Sequence, residues 1–381
     1  MNQNNLQQIF SHYTENFEFI NNPDNDENYK WQVVKDFQGF MDKALSADIE
    51  NFADALYKAK ASTKNIIDSY TQPFHGLVEF ARKEPETVRN MFLDLYADDG
   101  GNLKQQEKQI AEFFSKSNEL LERYTPGSYR FKQNSHSVSS YLFLRDPDHH
   151  YMFKATQASI MADCIGFLDD WGTGDNIKLD VFYRMCDDLL AEAKKNDVLI
   201  NTNESRFDGR FRVKPEDMFP DKEKHLLMFD ITYCSSVYHL FENIAFERPK
   251  SKEKQLYAER KKKAQQLFED YNNAVLQEDE LREALDYFTE LFKTGSEIKH
   301  KSYGQGIVKS INEKYVEIDF PNQEKKLGLP VVIANGIISA DTDEFGSNLI
   351  KYAPVLKRAE PISKAVERAK NALRGYEDYL D

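Results

Sequence analysis

The spacing of apolar residues changes along this chain, and those changes limit what it can fold into. Up to the break at Thr125-Pro126-Gly127 apolar positions recur at three- and four-residue steps, the period of a helix with one buried face, and short aromatic-rich runs follow it. Trp31, Val34, Phe37, Phe40 and Met41 form one such stripe. Ile49, Phe52, Ala55, Leu56 and Ala59 form another, and Ile110, Phe113, Phe114, Leu120 and Leu121 a third. From Glu297 the pattern becomes short and alternating, through Ile307 and Val308, then Val316, Ile318 and Phe320, then Leu327 and Leu329. Gly304, Gly306, Pro321-Asn322 and Gly328 punctuate these runs, which is how a small barrel of antiparallel strands is written. The chain therefore reads as α+β: a mainly helical amino-terminal part with a small α+β unit, a helical connector, and a small β-barrel near the carboxyl end.

The boundaries follow from local punctuation. Residues 1–25, rich in Asn, Gln and Asp, read as a flexible polar arm. Residues 26–127 form a helical subdomain that closes at Thr125-Pro126-Gly127. Residues 128–247 read as an α+β subdomain. Strands are predicted over 139–144 and 151–154, joined by the turn residues Asp146-Pro147-Asp148, with a helix over 179–194 and a further strand over 226–232. Residues 248–296 are a polar connector with a sparse stripe (Leu267, Tyr271, Leu281, Leu285, Phe288), either one helix or an extended hairpin. The barrel spans 297–345, and 346–381 is a carboxyl-terminal segment with a helix from Pro361.

At 381 residues the length suits two or three domains. No apolar run approaches the length of a bilayer span, and Met1 to Gln8 is polar without a basic start, so no leader is expected. Three widely spaced cysteines, Cys164, Cys186 and Cys234, suit a reducing cytoplasm and read as buried inert thiols. No phosphate-loop or dinucleotide motif is present. Asp146, Asp148, His149 and His150 are dense in potential metal ligands, but adjacent histidines on an extended segment point apart, so a polar turn is expected there. Asp319, Glu324 and Lys326 imitate the acidic-acidic-basic order of metal-dependent nucleases, yet Pro321-Asn322 places them around a tight turn. No catalytic residue, metal or cofactor is expected from these patterns.

Charge distribution is more informative. The net charge is −14, and residues 1–247 carry 27 basic against 41 acidic side chains, whereas residues 298–381 carry 13 against 12. The front of the chain should repel a polyanion, which leaves the last third for any weak, salt-dependent contact with DNA or RNA. Candidate contacts are Lys250, Lys252, Lys254, Arg260, Lys261, Lys262 and Lys263 on the connector. Lys299, Lys301, Lys325 and Lys326 join them on the barrel, with Tyr303 and Tyr315 available to stack on bases or on a partner's side chains.

Two family resemblances extend this reading. The segment Ile298-Lys299-His300-Lys301-Ser302-Tyr303-Gly304-Gln305-Gly306-Ile307-Val308, followed by Val316-Glu317-Ile318-Asp319-Phe320 and Lys325-Lys326-Leu327, resembles the SH3/Tudor-like barrel at the carboxyl end of UvrD/PcrA-type helicases and of other RNA-polymerase-associated bacterial proteins. That resemblance implies a docking module for protein or nucleic acid. Between about Tyr29 and Tyr233, Tyr29-Lys30-Trp31, Val88-Arg89-Asn90-Met91-Phe92 and the stretch from Ser137 to Lys154 resemble the amino-terminal module of McrB-type AAA+ proteins of restriction and phage defence. The ATPase that follows in that family is replaced here by the connector and barrel. The resemblances imply a non-enzymatic recognition or adaptor protein, with an AAA+ ATPase, a helicase or RNA polymerase as partner classes. A nuclease whose site is assembled from distant residues, or a pure protein-protein scaffold, are the rival readings.

Overall fold

The computed structural model describes every residue except 68–70, 98–100, 173–176, 343 and 381. The chain divides into two compact units, Met1–Lys254 and Gln255–Asp381, and the division falls in the first turn of a 41-residue helix.

The first unit is built of helices and the loops that join them, with no strand among its described residues. Its helices are α1 (Gln3–Glu15), α2 (Phe17–Ile20), α3 (Tyr29–Ser46), α4 (Phe52–Ser62), α5 (Pro73–Ala81) and α6 (Pro85–Leu95). Then come α7 (Leu103–Tyr124), α8 (Ser135–Arg145), α9 (Ala155–Ile165), α10 (Leu179–Ala193), α11 (Asp197–Glu204) and α12 (His225–Val237). One apolar core joins them. Phe74, Phe92, Phe113 and Tyr141 meet at its centre with ring centroids 5.0 to 6.0 Å apart, distances at which edge and face contacts add to area burial.

Four expectations are corrected here. Residues 1–25 are not a flexible arm: Leu6, Ile9, Phe10, Tyr13, Phe17 and Ile20 are all buried along one stripe of α1 and α2. The surrounding amides are not idle either, since buried Asn5 donates to the Cys164 carbonyl at 2.8 Å. Residues 139–144 are not a strand but the body of α8. Asn134 and Ser137 start that helix by a reciprocal capping box, and every residue from Ser137 to Leu144 is buried. A helix buried on all sides has no polar face, so its sequence shows no helical period. Residues 226–232 belong to α12 for the same reason, and the buried Asp221 carboxylate caps that helix by accepting the Leu226 and Leu227 amides at 3.0 and 2.9 Å. Residues 151–154 are extended but pair with nothing as a ladder, so the 128–247 segment contributes no strand among its described residues.

The second unit contains α13 (Ser251–Leu291), which is one continuous helix rather than a hairpin, and five antiparallel strands. These are β1 (Glu297–His300), β2 (Gly304–Ile311), β3 (Tyr315–Phe320), β4 (Gln323–Gly328) and β5 (Ile338–Ser339), in the order β4-β3-β2-β1-β5. The sheet curls as a half-barrel, so the mainly helical α+β class with a small barrel holds. The register shift between Val308 and Ser310 is the bulge that lets β2 bend. Gly306 faces inward where a Cβ would lie 2.7 Å from both Ile318 and Phe320, so no side chain fits there. Helices α14 (Leu329–Ala334), α15 (Phe345–Lys357) and α16 (Ala359–Leu373) complete the unit. Its core joins Ile298, Val308, Val316, Ile318 and Phe320 of the sheet to Leu281, Ala284 and Phe288 of α13 and to Phe345 and Tyr352 of α15. The carboxyl-terminal half of α13 is thus part of the barrel unit.

Because Phe10 is fully buried in the first unit's core, Phe10→Ala should cost about 3–5 kcal/mol of that unit's stability. Urea unfolding read by hydrogen exchange should show the loss in residues 1–254 and leave the barrel strands unchanged. A genuinely loose arm would give no loss.

Candidate interaction surface and the buried polar centre

The basic residues singled out on the connector do not form one track. Successive helical residues turn by about 100°, so Arg260, Lys261, Lys262 and Lys263 encircle α13. Lys254 is committed to Asp163 at 3.0 Å, and Arg260 donates to the Tyr379 hydroxyl at 2.8 Å. Lys252, Lys262 and Lys263 are exposed, and Lys250 lies just before the helix.

On the sheet the candidates separate onto two faces, as adjacent strand residues must. On the outer face Lys326 pairs with Glu317 at 3.0 Å and lies 4.9 Å over the Tyr315 ring, while Lys309 pairs with Glu324. Much of the charge there is internally neutralised, and exposed pairs of this kind contribute little to stability. Asp319 sits opposite Glu324 in the β3–β4 register, beside the tight turn. Lys299 is exposed on β1, and Lys301 donates to the Asn335 carbonyl at 3.1 Å.

The other face holds a built cluster. Buried His300 accepts the Ser302 and Tyr303 amides on Nδ1 at 3.0 and 3.2 Å, which closes the turn between β1 and β2. Gly304, at φ +76°, follows in the left-handed conformation that this turn needs. The Tyr303 ring is thereby laid flat on His300, with centroids 4.5 Å apart, and against Phe320 at 5.3 Å. Lys325 extends over Tyr303 at 5.4 Å, and the ring remains 39% exposed. An aromatic face held rigid, partly open and topped by a cation suits stacking on a base or on a partner's planar side chain.

Sequence reasoning missed the densest polar site, which lies inside the first unit. Lys30, Arg206 and Asp230 are fully buried. The Asp230 carboxylate takes Lys30 Nζ at 2.5 Å, Arg206 Nη2 at 2.7 Å and the Tyr13 hydroxyl at 2.5 Å. Arg206 also donates to Asn21 at 2.9 Å and to Asn28, and its guanidinium lies 3.8 Å from the centroid of Trp31. Glu27 approaches Lys30 at 2.9 Å and accepts the Tyr238 hydroxyl at 2.6 Å. Two cations are balanced by two anions, which is the condition for keeping charge out of water. Burial alone would raise the Asp230 carboxyl, but Lys30 and Arg206 overcome it and hold the group below its usual range. Burial opposes the Lys30 ammonium in the same way, and Asp230, Cys234 and Glu27 raise it well above the ordinary lysine value.

Glu27, Asp230 and Cys234 are the three buried groups close enough together to hold a metal among the described residues. The Lys30 ammonium stands between them, 2.9 Å from Glu27, 2.5 Å from Asp230 and 3.5 Å from Cys234 Sγ. The position a metal would take is filled by a side-chain cation. Burial also raises all three thiols, Cys164 to about 12, in keeping with inert buried cysteines. The only sequence sign of this centre was charge on otherwise apolar stretches, and charge on a helix is ordinarily a solvated face. No described helix is long and apolar enough to cross a membrane. Comparison of the chain with protein-family models, with curated proteins and with solved structures gives no match.

Two outcomes follow from these sites. Asp230→Asn leaves Arg206 buried without a counter-charge and should cost about 3–5 kcal/mol of first-unit stability in urea. A change under 1 kcal/mol would show that the network is not needed. The His300 ring is held below its ordinary value by burial, and its Nδ1 must be unprotonated to accept two amides. Its contribution is therefore fully present above the unfolded value of about 6.5 and is lost as pH falls below that and through the lowered folded value. The urea midpoint of the barrel strands should drop between pH 7 and pH 5, and His300→Phe should lower it at pH 7 while flattening that dependence.

Proposed function

We propose that this protein is a non-enzymatic recognition or adaptor protein that works beside nucleic-acid machinery, with the barrel unit as its docking module. The observation that carries this reading is the Tyr303 ring, pinned by His300 and Phe320, partly exposed and capped by Lys325. Holding an aromatic face rigid before a partner arrives removes part of the ordering cost of binding. The likeness of residues 297–345 to helicase- and polymerase-associated barrels supports the same role. The likeness of the first unit to the front module of McrB-type proteins supports a partner of the AAA+ class and a setting in phage defence. The first unit's densest polar cluster is sealed and charge-balanced, which suits a scaffold better than a reaction centre.

Fluorescence anisotropy of the full chain with labelled single-stranded DNA and RNA tests the reading. Weak binding that falls steeply with salt is expected. Tyr303→Ala combined with Lys325→Glu should weaken it by about tenfold or more, since one base stacked on an aromatic ring contributes about 1–3 kcal/mol. Lys262→Glu with Lys263→Glu should have a smaller effect, because those side chains diverge by about 100° around α13 and form no single track. Binding indifferent to the Tyr303 and Lys325 changes would place the contact elsewhere. Salt-independent binding to a protein partner, with none to nucleic acid, would favour the scaffold reading.

A further inference from the structure

The first unit is strongly acidic, with 27 basic against 41 acidic side chains over residues 1–247. The lining of one of its clefts reverses that balance. A cleft of about 450 Å³ opens between the start of α3, the turn after α4 and the 212–217 segment. Lys64, Arg212 and Lys214 line it, against Asp26 and Asp217. Cations therefore outnumber anions locally in a unit where the reverse holds. The volume lies within the range of small-molecule sites.

The cleft carries further marks of a built site. Asp26 and Lys64, both on its wall, have φ of +50° and +47°. Left-handed backbone outside glycine is costly and clusters where a side chain must be presented in a fixed place. Asp26 Oδ1 is buried and has no hydrogen-bond partner, while Oδ2 faces Arg212 at 3.5 Å. Lys214 and Asp217 have no ion-pair partner among the described residues. Lys64 donates to Gln32 at 3.1 Å, which fixes its ammonium over the edge of the cleft beside Tyr29.

We propose that this cleft binds a small phosphate ester bearing hydroxyl or amine donors, the chemistry shared by sugar phosphates and mononucleotides. Lys64, Arg212 and Lys214 supply charge-assisted donors for the phosphate. The Asp26 and Asp217 carboxylates, which line the cleft, accept from the hydroxyl or amine groups. An ester sets its hydroxyl or amine donors apart from its phosphate, so it can meet the three cations and the two carboxylates of the lining at once, and it is preferred over inorganic phosphate. The site lies in the first unit and stands independently of the barrel's role.

Isothermal titration of the full chain with inorganic phosphate, ribose 5-phosphate and adenosine 5′-monophosphate tests the assignment. Ribose 5-phosphate should bind about tenfold tighter than phosphate. A further gain with the adenosine ester identifies a nucleotide as the ligand source, and equal affinity identifies a sugar phosphate. Arg212→Gln and Lys64→Gln change side chains at the surface, and each should weaken every ester by about tenfold. Asp26→Asn keeps a residue that tolerates the left-handed conformation and should narrow the gap between ribose 5-phosphate and phosphate. The proposal is overturned by equal affinity for phosphate and both esters, by affinity unchanged in the Arg212 and Lys64 variants, or by no heat up to about 10 mM ligand, weaker than any millimolar site.

Discussion

The Asp230 carboxylate is the group on which the first unit most depends. It answers two buried cations and a phenol drawn from four distant parts of the chain: Tyr13 on α1, Lys30 on α3, Arg206 after α11 and Asp230 itself on α12. Apolar packing alone tolerates many arrangements of helices, because one greasy face meets another almost equally well. A buried charge does not, since each ion must find its counter-ion or pay several kcal/mol of desolvation. The network therefore ties the register of α1 to that of α12, over 200 residues away, and leaves few alternative packings for the helices between them. Trp31 and Phe17, stacked against the Arg206 guanidinium, complete the enclosure and keep water from screening it.

The barrel unit solves a different problem with smaller means. Its strands are short and its sheet is open, so it gains cohesion from α13 and α15, which bury Phe288, Phe345 and Tyr352 beside the inward sheet residues. On its rim one imidazole does the work of a turn residue. By accepting two successive amides, His300 sets the backbone from which Tyr303 departs and also provides the surface on which the Tyr303 ring lies. Recognition and local folding are thus joined in one contact, and a change in either would be felt in the other.

What could be read from the sequence depended on how much of each element faces water. The barrel strands were legible because their alternation of buried and exposed residues survives in the pattern, and Gly304 and Gly306 mark where the chain must bend or let neighbours close. The first stripes of α3, α4 and α7 were legible on the same ground. Helices α8 and α12 were not, because full burial erases their period and leaves β-branched and aromatic runs that imitate strands. Composition misled at α1, where amides between the apolar positions disguised a docked helix as a loose arm. Of the candidate site, Tyr303 and Lys325 were named from sequence, but their meeting on one face, and the parting of Lys326 and Tyr315 to the other, came only with the strand register. Lys30, Arg206 and Asp230 lie about 25 to 200 residues apart and share no motif. Only the fold brings them together.

The cysteines have a practical consequence of their own. All three are buried, all three belong to the first unit, and the second unit contains none. Burial makes their thiols less acidic than usual, so a reagent that attacks thiolate meets almost none in the closed state. Each covalent label acquired in native conditions thus records an opening of the helical unit and is silent about the barrel. Cys164 on α9, Cys186 on α10 and Cys234 beside Asp230 divide that record by region. The unmodified sequence already carries three internal clocks for the breathing of one half of the molecule.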